Sequence, residues 1–202
     1  MRNLMWFGDL EGKIAADSLN SNVAYGHDPI EFLKGEILFF EGQTFESKVI
    51  DSLHHKVEQT TSTRAPFFIY STESDLKEVT IRLENFTRKS TEKLIDSLYS
   101  DYQHHMLIRI DGLFDAITVP SVNLTKGSEV ASPNEVHKDL SNYSYNYVNG
   151  SLVGFFSRKH KAIFTHHDSF FHAYFISDDR DFLGHVDALD FNWTDAIFKV
   201  SK

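Results

Sequence analysis

Cysteine is absent from the 202-residue chain. Disulfide bonds, thiolate metal ligands and a cysteine nucleophile are therefore excluded, and any catalytic or metal site must be built from other side chains. Proline and glycine are also scarce, with 4 and 10 residues, and no stretch has the composition of a flexible linker. We therefore expect one compact unit.

Long apolar runs and basic patches are missing as well. No stretch approaches the roughly 18 apolar residues of a membrane span, and the N-terminal segment lacks the apolar core of a secretion signal. The formal net charge is −9, which argues against a nucleic acid as partner. These absences predict a cytoplasmic protein that binds neither a membrane nor a nucleic acid.

Aromatic residues are abundant, with 18 Phe and 8 Tyr, and they favour a β-rich fold. Period-two alternation predicts strands, and a helical spacing of apolar residues predicts helices. For the first part of the chain this gives a strand at residues 4–7, a helix over 12–19 that could extend to residue 20, and strands at 36–40, 45–50 and 67–70. Glu41-Gly42 is predicted to form a tight hairpin turn.

The second part repeats this order of elements. The patterns predict a strand at 78–83, a helix over 90–102 with Ser90 as N-cap, and strands at 106–111, 114–119, 151–157, 170–177 and 185–191. Residues 126–142 are predicted to form a surface loop. The repetition suggests an internal duplication, with an N-terminal half over 1–75 and a C-terminal half over 76–202.

A candidate metal site lies near the C-terminal end. His172 and Tyr174 are two residues apart on a predicted strand, so their side chains share one face. With a hairpin turn centred on Asp178-Asp179, His172 would lie opposite His185. Two facing imidazoles could bind a divalent ion. The alternative is that both are partly buried strand residues with hydrogen-bonded rings. His166-His167 could contribute a ligand if the local register differs.

Five short motifs cover most of the chain in a fixed order. They are Leu33-Lys34-Gly35-Glu36 followed by Glu41-Gly42; Ala65-Pro66-Phe67; Arg109-Ile110-Asp111-Gly112-Leu113-Phe114; Gly150-Ser151-Leu152-Val153-Gly154-Phe155; and Phe171-His172-Ala173-Tyr174-Phe175 followed by Asp178-Asp179-Arg180 and Leu183-Gly184-His185. In residue type and order they resemble the motifs of the metal-dependent acetolactate decarboxylases.

This resemblance implies an α+β fold of duplicated β-α-β4 motifs with mostly antiparallel or mixed sheets. It also implies a carboxy-lyase that converts 2-acetolactate, a small hydroxy-keto acid, into acetoin. In the family three histidines hold Zn²⁺ and a carboxylate completes or approaches the coordination sphere. By resemblance His172, His185 and the position of Tyr174 correspond to the metal ligands, and Glu36 to that catalytic carboxylate. The metal would act as a Lewis acid, and a positioned acid would protonate the enolate.

Three departures from the family pattern predict an impaired decarboxylase. Tyr174 stands where the family has a histidine ligand, and a phenol, with an ordinary pKa of about 10, is a poor ligand near neutral pH. The family's substrate-binding Arg is replaced within Thr118-Val119-Pro120-Ser121. No counterpart of the family's C-terminal glutamate can be placed before Lys202.

Two other interpretations remain open at this point. The chain could be a degenerate relative that binds a small ligand or a protein without chemistry, or an enzyme of different specificity on the same scaffold. The sequence leaves the oligomeric state open, a homodimer being one expectation.

Overall fold

The structure is a computed structural model. It describes residues 10–19, 22–51, 54–79, 81, 86–101, 104–122, 140–161, 163, 165, 169–186, 188–191 and 196–201. The predicted strand at 4–7, most of the predicted loop at 126–142 and the pair His166-His167 lie outside these residues. No helix in the described ranges is long and apolar enough to cross a membrane.

Within these ranges the chain forms fifteen β-strands and a single α-helix, α1 (Arg88–Leu98). The strands are β1 (Ile14–Ala15), β2 (Tyr25–Pro29), β3 (Glu36–Phe40), β4 (Gln43–Val49), β5 (His55–Gln59), β6 (Arg64–Ala65), β7 (Ile69–Ser71), β8 (Lys77–Val79), β9 (Phe86–Thr87), β10 (Met106–Val122), β11 (Leu140–Phe156), β12 (Phe171–Ser177), β13 (Leu183–His185), β14 (Ala188–Phe191) and β15 (Ile197–Val200). Short 3-10 turns occupy Ala16–Ser18 and Glu31–Leu33.

The strands form a five-stranded sheet, an eight-stranded sheet and a two-stranded ribbon. The five-stranded sheet has the order β5-β4-β3-β2-β7. The eight-stranded sheet has the order β13-β12-β11-β10-β14-β9, with β15 paired to β10 and β8. Strands β1 and β6 form the ribbon, and the strand pairs of all three sheets are antiparallel. The predicted α+β class with mostly antiparallel sheets is therefore confirmed.

One face of the five-stranded sheet packs against one face of the eight-stranded sheet. Strand alternation places Leu38 and Phe40 of β3 on this face, where they join Val153 and Phe155 of β11 in one buried cluster. The opposite face of the eight-stranded sheet forms a second core with Ile95 of helix α1. In the described residues, helix α1 thus covers one face of the eight-stranded sheet, and the other face meets the five-stranded sheet at an apolar interface.

Helix α1 begins two residues earlier than predicted, at Arg88, and ends at Leu98, before the predicted end at residue 102. Thr87, and not Ser90, is the N-cap: its hydroxyl accepts the backbone N–H of Ser90 at 3.2 Å. The Ser90 hydroxyl in turn accepts the backbone N–H of Thr87 at 2.8 Å. This reciprocal pair is a capping box. The other end of α1 is held by Arg158, which donates to the backbone oxygens of Asp96 and Tyr99.

The predicted helix over residues 12–19 (12–20) is wrong. Ile14 and Ala15 instead pair with Ala65 and Arg64, and only one 3-10 turn follows. Ala16 is buried, and its backbone N–H donates to the backbone oxygen of Thr63 at 2.9 Å. A short segment gains little from helical hydrogen bonds alone, so pairing and packing with another part of the chain decide its conformation.

Strand predictions were more successful where alternation was strong. The strand at 36–40 and the turn at Glu41-Gly42 are confirmed, since both turn residues have positive φ, 52° and 77°. The predicted strands at 106–111 and 114–119 are parts of one strand, β10, which continues through Gly112 because Gly112 pairs with Gly150. The predicted strand at 185–191 is divided between β13 and β14.

Candidate functional site

The candidate site lies where β2 and β3 of the five-stranded sheet face β12 and β13 of the eight-stranded sheet. Its centre is a hydrogen bond that the Tyr174 hydroxyl donates to Oε2 of Glu36, at 2.7 Å. Both side chains are buried, with 2% of Tyr174 and 6% of Glu36 exposed. The bond joins residues 138 positions apart, and it therefore links the two sheets directly.

The Leu33-Lys34-Gly35-Glu36 motif positions the carboxylate by a tight turn. Leu33 has a φ of 52° and Gly35 a φ of 145°. The turn is closed by the Ile30 backbone N–H, which donates to the Gly35 oxygen at 2.8 Å. A Cβ added at Gly35 would lie 2.0 Å from the backbone oxygen of Ser47, so only glycine fits there. The turn directs Glu36, the first residue of β3, into the space between the sheets.

The predicted convergence of His172, Tyr174 and His185 on one face, near Glu36, is confirmed. The ring centroids of His172 and His185 are 4.8 Å apart, and each ring lies 5.6 Å from that of Tyr174. His172 and Tyr174 belong to β12, every residue of which is buried. Their roles as metal ligands remain predictions.

The predicted register of the β12–β13 hairpin is wrong by two residues. Tyr174, and not His172, lies opposite His185. The turn is closed by Ser177, whose backbone N–H donates to the Phe182 oxygen and whose hydroxyl accepts the Phe182 N–H. Arg180 has a φ of 66°, which centres the turn one residue later than predicted. Because the shift is an even number of residues, the side chains stay on the predicted face.

His27 on β2 joins Glu36, His172, Tyr174 and His185 in one group of side chains, which is called the cluster below. The sequence analysis missed His27. Its ring stacks on Tyr174 at 4.3 Å with an interplanar angle of 16°, and meets the His172 ring edge-on at 4.7 Å. The side chain is fully buried. Pairing of β2 with β3 sets Pro29 opposite Glu36, so His27, two residues away, shares the face of that carboxylate. A strand prediction for residues 25–29 would have placed its side chain on one face of a sheet, but only the packing of the two sheets brings it to Tyr174.

Burial dominates the electrostatics of the cluster. It raises the pKa of Glu36 from 4.5 to about 7, although the hydrogen bond from Tyr174 partly opposes this shift. Burial, followed by the nearby charge of Glu36, raises the pKa of the Tyr174 phenol well above its ordinary value. Burial also lowers the pKa of His27, with a further lowering from His172. The carboxyl group therefore titrates near neutral pH, while His27 is a neutral imidazole.

The resemblance implied a zinc site at these residues. In the described part of the chain, no three His, Asp or Glu side chains are grouped closely enough to hold a metal ion. The carboxylate that would complete the zinc sphere accepts the Tyr174 hydroxyl instead. The side chains as placed do not fit the three-histidine site of the family, and zinc binding remains a prediction.

Other motif residues have structural partners outside the cluster. Arg109 of the Arg-Ile-Asp-Gly motif donates to Asp111 at 2.7 Å, to Glu41 at 2.6 Å and to the Tyr25 hydroxyl at 2.9 Å. It therefore ties β10 to the β3–β4 turn. A cavity of about 370 Å³ borders this turn at Tyr25, Glu41 and Gly42, and no residue of the cluster lines it.

Comparison with known proteins gives a consistent result. A family model described as alpha-acetolactate decarboxylase matches residues 2–202. The chain is 24% identical over 193 residues to an alpha-acetolactate decarboxylase of Brevibacillus brevis, covering 94% of this chain and 64% of the relative. It is 27% identical over 164 residues to that of Bacillus subtilis (strain 168), covering 80% of this chain and 61% of the relative. The chain thus spans less than two thirds of the length of these curated relatives.

Solved structures show the same fold. The crystal structure of alpha-acetolactate decarboxylase from Bacillus subtilis strain 168 superposes with a TM-score of 0.78 at 23% identity, covering 96% of this chain and 79% of that one. A Staphylococcus aureus protein of unknown function, similar to alpha-acetolactate decarboxylase, superposes with a TM-score of 0.77 at 17% identity and the same coverage of both chains.

The raised pKa of Glu36 predicts a pH-dependent cost for folding. A carboxyl group whose pKa is higher in the folded state contributes stability below its unfolded pKa, and this contribution is lost as the pH rises through about 7. Glu36→Gln cannot ionise. We expect urea unfolding to show that the free energy of unfolding of Glu36→Gln, relative to that of the natural protein, is higher at pH 8 than at pH 5 by on the order of 2 kcal/mol. An equal difference at both pH values would contradict the raised pKa.

A second prediction concerns the altered ligand position. Tyr174→His would provide a third imidazole on the face shared with His172 and His185, and three protein ligands are typical of catalytic zinc sites. We expect this variant to bind Zn²⁺ at least about tenfold more tightly than the natural protein, in competition with a chelating dye. Tyr174→Phe, which lacks the hydroxyl but adds no ligand, is the control and should show no such gain. Equal affinities of Tyr174→His and Tyr174→Phe would mean that position 174 does not reach the metal position.

Proposed function

The chain belongs to the alpha-acetolactate decarboxylase family, and from this premise we propose that it decarboxylates 2-acetolactate to acetoin. The observation that carries the proposal is the buried Glu36–Tyr174 pair, surrounded by the rings of His27, His172 and His185. These residues come from both sheets, and Glu36, His172, Tyr174 and His185 lie in the motifs that resemble those of the family.

The chemistry requires an acid at a place from which water is excluded. When the carboxylate of a β-keto acid leaves as carbon dioxide, its bonding electrons pass into an enolate, and a proton must then be delivered to carbon. An acid is most effective when its pKa is close to the working pH. The pKa of Glu36, raised to about 7 by burial, meets this condition. We therefore assign the proton delivery to Glu36.

Tyr174 positions this acid. Its hydroxyl holds one carboxyl oxygen at 2.7 Å, and this leaves the other oxygen to carry the exchangeable proton. The phenol itself keeps its proton near neutral pH, because burial and the charge of Glu36 raise its pKa. In this assignment Tyr174 has the role of an orienting donor, in place of the metal ligand that the resemblance implied.

The proposal is tested by measuring acetoin formation from 2-acetolactate above the uncatalysed rate. We expect the natural chain to form acetoin and Glu36→Gln to lose about 10² or more of that rate, as removal of a general acid typically does. Glu46→Gln is a matched control: Glu46 is buried to a similar extent, 7% against 6%, but lies on β4 beside Lys48. It should keep the natural rate.

Two results would contradict the proposal. One is a natural chain that forms no acetoin above the uncatalysed rate, which would instead favour a ligand-binding relative without chemistry. The other is a Glu36→Gln variant that is as active as Glu46→Gln, which would remove Glu36 from the reaction.

A further inference from the structure

His27 carries two polar ring atoms that make no hydrogen bond in the described part of the chain. Neither of its ring nitrogens has a hydrogen-bond partner among the described residues, and the side chain is 0% exposed. The His172 backbone approaches the ring, but no hydrogen bond of normal geometry reaches either nitrogen. A neutral imidazole has one N–H donor and one acceptor nitrogen. Leaving both unpaired in the interior is costly, and an apolar residue would avoid that cost.

The position of the ring shows where these atoms would be used. His27 lies against Tyr174 and His172, at centroid distances of 4.3 and 4.7 Å, and comes from the sheet opposite to theirs. It therefore adds a donor from the five-stranded side of the cluster, beside the pair that includes Glu36. A buried donor at this place is oriented before any ligand arrives.

We propose that His27 is a ligand-binding residue of this site, and that its ring N–H donates to the ketone oxygen of a small hydroxy-keto acid. The inference rests on the proposed function, because the loss of carbon dioxide places negative charge on that oxygen. A preorganised donor in a water-excluded site stabilises such charge more than water does. The ligand would pair a nitrogen that is buried without a partner among the described residues.

Among the five residues of the cluster, His185 is the most exposed. Strand β13 is the end strand of the sheet, and its His185 is partly exposed, whereas His172 on β12 is only 7% exposed. A ligand that enters past His185 would reach the buried rings of His172 and His27 in turn.

The test measures binding of a non-reactive probe by calorimetry. The probe is the reduced analogue of 2-acetolactate, in which a hydroxyl replaces the ketone: its oxygen still accepts a hydrogen bond, and it cannot decarboxylate. His27→Leu removes the ring nitrogens, and His27→Gln restores a donor on a side chain of similar length. We expect His27→Leu to bind the probe at least about tenfold more weakly than the natural protein, and His27→Gln to recover most of the loss.

His55 provides a matched control. Both of its ring nitrogens are also buried without a hydrogen-bond partner in the described structure, but its ring packs on Tyr143 and Phe182 instead of on the cluster. His55→Leu should bind the probe as the natural protein does. A loss of binding in His55→Leu equal to that in His27→Leu would show a general packing effect and would overturn the proposal.

The remaining outcomes separate this inference from the decarboxylase assignment. If the natural protein binds the probe and forms acetoin but His27→Leu and His27→Gln bind equally well, only the role of His27 is overturned. If the natural protein binds the probe without forming acetoin, the reaction is overturned, and the difference between His27→Leu and His27→Gln still decides the role of His27. A natural protein that neither binds the probe nor forms acetoin overturns both.

Discussion

The hydrogen bond between Tyr174 and Glu36 is the interaction on which the site depends. It joins the two sheets at 2.7 Å in a place where both partners are buried. A carboxyl group removed from water must find a partner or keep its proton, and Glu36 does both. Burial brings its pKa to about 7, and the phenol supplies the partner. The same packing that stabilises the fold therefore creates an acid suited to neutral pH.

Backbone features remote from the chemistry hold this pair in place. Gly35 permits the turn that directs Glu36 inward, because a side chain there would collide with the Ser47 oxygen. Ser177 closes the hairpin that brings His185 opposite Tyr174. Arg109 connects β10 of the eight-stranded sheet to the β3–β4 turn of the five-stranded sheet through Glu41. Each of these features lies outside the cluster, in or against a strand or turn that carries one of its residues.

Sequence reasoning found the parts of the site that local pattern and motif encode. Glu36, His172, Tyr174 and His185 lie in motifs. Strand alternation placed His172 and Tyr174 on one face, and His185 joins them there because the error in the predicted hairpin register is an even number of residues. His27 was missed because a lone histidine has no motif, and its role arises only when the five-stranded sheet packs on Tyr174. The helix over 12–19 (12–20) failed for a related reason, since pairing of Ile14 with Ala65 depends on contacts distant in the chain. The hairpin register was predicted wrongly because a hydrogen bond to the Ser177 side chain closes the turn, and the alternation of apolar residues gives no information on such a bond.

The account is tested most directly by the titration of Glu36 itself. Carbon-13 NMR of glutamate carboxyl groups, with the Glu36 signal assigned by its absence in Glu36→Gln, measures the midpoint without reference to activity. The account predicts a midpoint near 7, and a higher one in Tyr174→Phe, because the hydrogen bond from Tyr174 lowers this pKa. A midpoint at or below the ordinary 4.5, as expected for an exposed carboxylate or one bound to a cation, would contradict the buried acid.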